Sequence, residues 1–274
     1  MPVSSIAFVG QRKVFPFFPL IRHMAEDLEK LQAGDRHYKA FVGPPLKYDL
    51  MGALQFTLLA ALGLRAHHHL VDIGCGSLRL GKLLIPYLNR GHYCGLEPEG
   101  WLVEEGLEKA LGADIRQVKD PQFSYRHDFS LQEFNRVFDF AIAQSIYSHA
   151  APAQIRQSLA ATAEVMKPKA FLLATFVEGS TSYQGQKWIY PGCVEYRPRD
   201  IKAMAESAGL IAQKCQWPHP NGQSWYLLTW PRNWQVALEK KVFSLEAYRY
   251  QAPAKPSPPG WGEKISWHLK RWFS

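Results

Sequence analysis

Hydrophobic and polar positions along the chain form two alternating kinds of segment from about residue 69 onward. Short apolar runs predict buried strands, and they cover 70–73, 92–96, 123–126, 137–143 and 170–177. Stretches with helical spacing follow these runs, at 78–88, 99–111, 152–166 and 198–208. Regular alternation of strands and helices predicts a mostly parallel sheet covered by helices on both faces.

Two further apolar runs close this region, at 210–217 and 224–230. The segment between them contains Asn221 and Gly222, a pair that favours a tight reversal of the chain. The last strand should therefore be antiparallel to its partner. The predicted fold is α/β, a doubly wound and mostly parallel seven-stranded sheet whose last strand is antiparallel.

The chain divides into three predicted parts. Residues 1–48 form an N-terminal extension with a helix at 23–32, and Gly43, Pro44 and Pro45 break the chain after it. Residues 49–231 form the main domain, which opens with a helix at 49–62. Residues 232–274 form a basic, Pro-rich and aromatic tail, with an extended linker at 252–260.

Composition limits the class of protein. Hydrophobic residues make up 47% of the 274 residues and charged residues 20%, as in ordinary globular proteins. No apolar run approaches the roughly 18 residues that span a bilayer, and we find no signal-peptide pattern. The four cysteines lack zinc-binding spacing, and the consecutive His67, His68 and His69 would point their rings apart, so no metal site is expected. We expect a cytoplasmic protein with reduced thiols.

The net charge of +8 is concentrated in the tail, which holds eight Lys/Arg against three Asp/Glu. Because a nucleic-acid enzyme would carry its basic surface around the cleft, this distribution disfavours nucleic acid as a partner. Trp261, Ile265, Leu269 and Trp272 fall at helical spacing among basic residues. The tail therefore either docks on its own domain or a partner subunit, or lies on an anionic membrane surface.

Two glycines follow the first strand, and an acid follows the second. Gly74 and Gly76 would let a ligand approach the backbone at the carboxyl edge of the sheet. A dinucleotide-binding loop would place a third glycine where Arg79 stands, so that class fits poorly. Glu97 ends the second strand at the distance from the loop that suits recognition of ribose hydroxyls. The alternative interpretations are a plain turn and an ordinary strand-end acid.

Four stretches, taken in order, resemble the class I S-adenosylmethionine-dependent methyltransferases. Residues 71–76 resemble the family's first motif, 93–98 the ribose-binding motif, 126–129 the adenine-binding stretch and 138–145 the fourth motif. The resemblance spans residues 48–231 and departs at Leu78, where many members carry a third glycine. It implies S-adenosyl-L-methionine as the cofactor. The implied cofactor-binding residues are Asp72, Gly74, Cys75, Gly76, Glu97, Asp128, Phe129 and Gln144.

His149 is the candidate catalytic residue, because it follows the fourth motif and imidazole can deprotonate a hydroxyl or an amine. The alternative is that it only orients the helix that follows. The predicted substrate pocket contains Tyr147, Glu178, Trp188, Tyr190 and His219, and each of them could instead serve packing or solvation.

These observations predict a methyltransferase that acts on an oxygen or nitrogen atom of a small molecule. Two alternatives stay open at this point. One is an RNA or protein methyltransferase that holds its substrate with the basic tail. The other is a non-catalytic protein that binds the cofactor or acts as an interaction module.

Overall fold

Eight strands form one sheet in the computed structural model, which describes residues 28–244, and seven of them lie along its main path. The parallel strands are β1 (Leu70–Ile73), β2 (Tyr93–Leu96), β3 (Gln122–Ser124), β4 (Phe138–Ala143) and β5 (Met166–Glu178). A short β6 (Glu195–Tyr196) pairs with the end of β5, and β7 (Ile211–Lys214) and β8 (Ser224–Thr229) complete the sheet. The order along the sheet is β3-β2-β1-β4-β5-β8-β7, and β8 runs antiparallel to both of its neighbours. The predicted fold class is confirmed.

Helices cover both faces of the sheet. They are α1 (Tyr48–Leu62), α2 (Gly81–Tyr87), α3 (Gly100–Ala110), α4 (Ile115–Lys119), α5 (Pro152–Val165), α6 (Pro198–Ser207) and α7 (Trp234–Leu238). Helix α1 ends where predicted, at Gly63, whose φ of 103° is accessible to glycine without strain. No helix within residues 28–244 is long and apolar enough to cross a membrane.

Successive residues of the central strands enter two separate hydrophobic clusters. Phe140 and Ile142 of β4 pack on the face that carries α1, α2 and α3, whereas Ala141 and Ala143 pack on the face that carries α5 and α6. A strand with both faces buried is continuously apolar rather than alternating. This burial explains the uninterrupted apolar runs in the sequence.

The structure corrects several predicted boundaries. The helix predicted at 78–88 begins only at Gly81, because Leu78 has a φ of 61°, outside the helical region. Strand β5 is longer than the predicted 170–177, and it starts at Met166, where that residue pairs with Phe138. The short elements β6, α4 and α7 were not predicted. The predicted helix 23–32 lies mostly outside the described residues, and the linker 252–260 and the segment 261–274 lie wholly outside them.

Candidate active site

The glycine loop after β1 is tied to the end of β2. The N–H groups of Gly74 and Cys75 donate to the carbonyl oxygen of Leu96, at 2.7 and 3.1 Å. The N–H group of Gly76 donates to Oε2 of Glu97 at 2.9 Å. Gly74 and Gly76 have φ angles of 69° and 54°, which side chains rarely adopt. The predicted pair of motifs is therefore brought together at the carboxyl edge of the sheet.

Glu97 is a buried carboxylate with part of its bonding capacity free. Its Oε1 accepts the N–H of Glu99 at 2.9 Å, and burial raises its pKa although the two backbone N–H bonds oppose this effect. A carboxylate has about four acceptor sites. The two backbone donors leave capacity for two hydroxyl groups, so the residues at this point fit a ribose.

Asp72 and Cys75 lie beneath the loop rather than on an open surface. Asp72 is 5% exposed and accepts a hydrogen bond from the Tyr93 hydroxyl at 3.0 Å. Burial raises the pKa of Asp72 to about 7. The buried sulfur of Cys75 packs against Gly95, where any side chain would clash with it. Their predicted contact with the cofactor stays a prediction.

Asp128 and Phe129 lie on the loop after β3. Hydrogen bonds from Arg126 lower the pKa of Asp128 to about 2, and the N–H of Ser130 also donates to this carboxylate, at 3.1 Å. Phe129 has a φ of 57°. The carboxylate is thus fully ionised and already engaged at neutral pH. Its predicted role toward adenine stays a prediction.

Gln144, at the end of β4, is the centre of a group of polar side chains that we call the polar cluster: Gln55, Arg79, Gln144 and His219. Its Oε1 accepts from Gln55 Nε2 at 2.8 Å and from Arg79, and its Nε2 lies 3.0 Å from His219 Nε2. Gln55 and Arg79 were not predicted as site residues. A glutamine on the apolar face of α1 was the one local signal available.

His149 is nearly buried, and the loop that follows β5 fixes its ring. Its Nδ1 lies 3.0 Å from the carbonyl oxygen of Ile189 and 2.6 Å from that of Gly192. Both partners only accept hydrogen bonds, so Nδ1 carries the proton and Nε2 carries a lone pair. Burial lowers the pKa of His149 although the two carbonyls oppose the change, which keeps the ring neutral at pH 7. Within residues 28–244, Nε2 has no hydrogen-bond partner.

The structure brings only some of the predicted pocket residues to His149. The rings of Tyr190 and Trp188 lie 5.0 and 5.8 Å from its ring. Glu178 is engaged elsewhere, by Lys214 at 2.8 Å and the Tyr226 hydroxyl at 2.7 Å. Tyr147 is fully buried in the core, and its hydroxyl lies 2.9 Å from Ser158 Oγ. Its side chain therefore has no exposed surface that could line a substrate pocket.

Residues 36–43, which we call the strap, cross over the glycine loop. Phe41 packs on Trp101 of α3 at 5.2 Å and on Tyr190 at 5.6 Å between ring centroids. Val42 fills the space beside Gly76, and its carbonyl oxygen accepts from Arg79 at 2.9 Å. Part of the predicted N-terminal extension therefore belongs to the site.

Comparison with known proteins agrees with this fold. Residues 71–172 match a family described as "Methyltransferase domain". A S-adenosylmethionine-dependent methyltransferase from Clostridium acetobutylicum has a similar structure, with a TM-score of 0.51 and 13% identity, covering 77% of this chain and 99% of that one. Magnesium protoporphyrin IX methyltransferase from Synechocystis, with bound SAH, matches with a TM-score of 0.50 and 16% identity, covering 77% and 98%. No curated protein matches the chain in sequence.

Residues 71–172 form a methyltransferase domain, and the chain has the fold of the S-adenosylmethionine-dependent methyltransferases. S-adenosylmethionine is the cofactor of this domain, and the predicted family, enzyme class and cofactor are confirmed. No group of three or more His, Cys, Asp or Glu side chains that could hold a metal occurs in the part of the chain that the structure describes. The glycine loop and Glu97 are the residues that would hold the cofactor.

Proposed function

We propose that the protein methylates an oxygen or nitrogen atom of a small molecule, with His149 as the general base. The observation that carries this proposal is the fixed tautomer of His149, which is held by two backbone carbonyls with the Nε2 lone pair free. A histidine that only oriented α5 would not need both carbonyls on one nitrogen.

Methyl transfer needs the donor sulfur and the acceptor atom to be aligned, and it needs one group that accepts a proton. When bound, the cofactor supplies a methyl group on a sulfonium sulfur. Transfer to a hydroxyl or an amine breaks the carbon–sulfur bond, forms a bond from carbon to oxygen or nitrogen, and leaves one proton to be removed. His149 Nε2 would take that proton, because burial keeps the ring unprotonated at neutral pH.

A small acceptor suits the surroundings of His149. Trp188, which is 40% exposed, and Tyr190 form an aromatic wall at the cleft edge, and such walls are common in pockets for small ligands. Two proteins of similar fold carry matching names: mitomycin 7-O-methyltransferase, at a TM-score of 0.50 and 17% identity, and a glycopeptide N-methyltransferase, at 0.50 and 10%. Their names support this acceptor class.

The first test is calorimetric titration of the purified protein with S-adenosylmethionine and S-adenosylhomocysteine. We expect micromolar binding of both, and a much weaker affinity after Glu97→Ala. Labelled cofactor then identifies an acceptor from a panel of small hydroxyl and amino compounds. A folded protein that binds neither molecule would contradict the proposed function.

His149→Asn tests the base. The asparagine amide can still donate to the carbonyls of Ile189 and Gly192 but lacks the Nε2 lone pair. We expect transfer to slow by about 10²- to 10⁴-fold, with the affinity for S-adenosylhomocysteine unchanged. His67→Asn, at an exposed position, is the matched control. An unchanged transfer rate in His149→Asn would assign His149 a structural role.

A further inference from the structure

Arg79 is a partly buried cation without an anionic partner in the described part of the chain. Its Nη1 donates to the carbonyl oxygen of Val42 at 2.9 Å, and its Nη2 donates to Gln144. Its Nε is buried without a hydrogen-bond partner in the described part of the chain. Arg79 forms no ion pair with a carboxylate among residues 28–244. Holding an unpaired charge away from water is costly.

Asp72 does not compensate this charge. It is close enough for the two charges to attract, but the Tyr93 hydroxyl occupies one of its oxygens. Because burial raises the pKa of Asp72 to about 7, this carboxyl is ionised only in part at neutral pH. The guanidinium of Arg79 stays charged, since its pKa falls only to about 10.

The rest of the polar cluster holds a further donor that faces no acceptor, on His219, and one buried acceptor without a donor, Gln55 Oε1. Nδ1 of His219 faces the N–H groups of Asn221 and Gln223, each at 3.3 Å, so Nδ1 accepts and Nε2 carries the proton. That proton faces the amide nitrogen of Gln144, which also donates. Exchanging the positions of the amide oxygen and nitrogen of Gln144 would instead place two donors against each other at Arg79. Two donors of the cluster, Arg79 Nε and His219 Nε2, thus face no acceptor, and a ligand that carries acceptor oxygens could satisfy them.

The glycine loop and Tyr190 connect the cluster with the surroundings of His149. Gln144 ends β4 two residues before Ile146, whose side chain packs against Gly74. The charge of Arg79 acts on Tyr190, and the ring of Tyr190 lies 5.0 Å from that of His149. A molecule placed against His149 could therefore present a second group to Arg79.

We propose that Arg79, supported by Gln55, Gln144 and His219, binds a carboxylate of the methyl acceptor, so that the substrate is an anionic small molecule. This inference rests on the proposed function. The planar guanidinium matches a carboxylate, with which it can form two parallel hydrogen bonds, and the site around it supplies further donors. The acceptor would be anchored at the cluster while its hydroxyl or amine faces His149.

The test uses simple anions as probes on the full chain. Acetate, benzoate and inorganic phosphate are titrated by calorimetry, each carboxylate beside its neutral amide, with and without saturating S-adenosylhomocysteine. We expect saturable binding of a carboxylate and no binding of its amide. Arg79→Gln should weaken that binding at least about tenfold, while Arg79→Lys should keep part of it. Arg90→Gln, which removes an exposed arginine paired with Asp120, is the matched control.

Three results would overturn the proposal. Wild-type protein could bind no carboxylate, or Arg79→Gln could bind carboxylates unchanged, or phosphate alone could bind. A fourth result would also overturn it, by showing that Arg79 binds the carboxylate of the cofactor instead. Arg79→Gln would then lose affinity for S-adenosylhomocysteine but not for 5′-methylthioadenosine, which lacks that carboxylate. If wild-type protein does not bind S-adenosylhomocysteine, the result counts against the proposed function. The anion titrations without S-adenosylhomocysteine test the anion site separately. Thermal melting checks that each variant is folded.

Discussion

Asp72 shows how burial sets the properties of a single residue in this site. Its folded-state pKa of about 7 lies above the ordinary value of 3.8, so the folded protein holds a proton that the unfolded chain releases. The contribution of this residue to stability is therefore fully present below pH 3.8 and is lost as pH rises toward 7.

Asp72→Asn removes this loss. Without cofactor, we expect the melting temperature of Asp72→Asn minus that of the wild type to increase between pH 4 and about pH 7 and then to level off. Asp139→Asn is the comparison. Burial opposes the shift, but hydrogen bonds from Lys167 and the N–H of His69 lower the pKa of Asp139 below its ordinary value of 3.8. Its contribution to stability therefore changes only at lower pH, and the corresponding difference should stay nearly flat over this range. Melting curves across this pH range measure these differences in melting temperature. A difference for Asp72→Asn that does not change with pH would contradict the raised pKa of Asp72.

The predictable residues of the site are those whose role follows from their position at the end of a strand. Gly74, Gly76 and Glu97 stand at strand ends, and the edge of a parallel sheet brings such ends together. Arg79 and Gln55 were missed because their role depends on where their side chains point, and packing between α1, β4 and the strap sets this direction. Local sequence does not record such contacts.

The elements of the sheet were predictable for the same physical reason. A strand buried on both faces is mostly apolar rather than alternating, and β1, β4 and β5 were recognised by this property although Asp72 and Asp139 interrupt the first two. Strand β6 has two residues and α4 has five, which is too short for either periodicity to appear. The start of α2 was predicted too early, because leucine favours helices whereas Leu78 has a positive φ that is typical of glycine.

Leu78 yields a prediction about the turn that precedes α2. Its side chain is fully buried against Gly81 and Gly106, so truncating it should cost about 2–5 kcal/mol. Its positive φ favours glycine over alanine by about 1 kcal/mol, whereas a helix interior favours alanine by a similar amount. We expect Leu78→Gly to be more stable than Leu78→Ala, and Leu84→Gly, inside α2, to be less stable than Leu84→Ala.

Chemical denaturation of the four variants measures these differences. Because both leucines are fully buried, the pair at Leu84 controls for the loss of packing. The same order of glycine and alanine at both positions would show that the backbone at Leu78 carries no strain.

At the scale of the whole molecule, the strap joins parts that are far apart in sequence. The Tyr190 hydroxyl donates to the carbonyl oxygen of Phe41, 149 residues earlier, and Phe41 also contacts Trp101 after β2. The sequence suggested an extension separate from the domain, because Gly43, Pro44 and Pro45 interrupt the chain there. The break is a turn by which the strap passes from the glycine loop into α1, and long-range contacts decide its position.

Phe41→Ala tests whether the strap retains the cofactor. The ring of Phe41 holds the strap between Trp101 and Tyr190, so its loss should loosen Val42 over Gly76 and open the glycine loop to solvent. We expect stopped-flow dissociation of S-adenosylhomocysteine to be faster by about tenfold, the equivalent of 1.4 kcal/mol, with only a small fall in melting temperature because Phe41 is half-buried. Leu46→Ala, at a residue that is 60% exposed between the strap and α1, is the control and should change neither quantity. Equal dissociation rates in the wild type and Phe41→Ala would mean that the strap stabilises the fold without covering the cofactor.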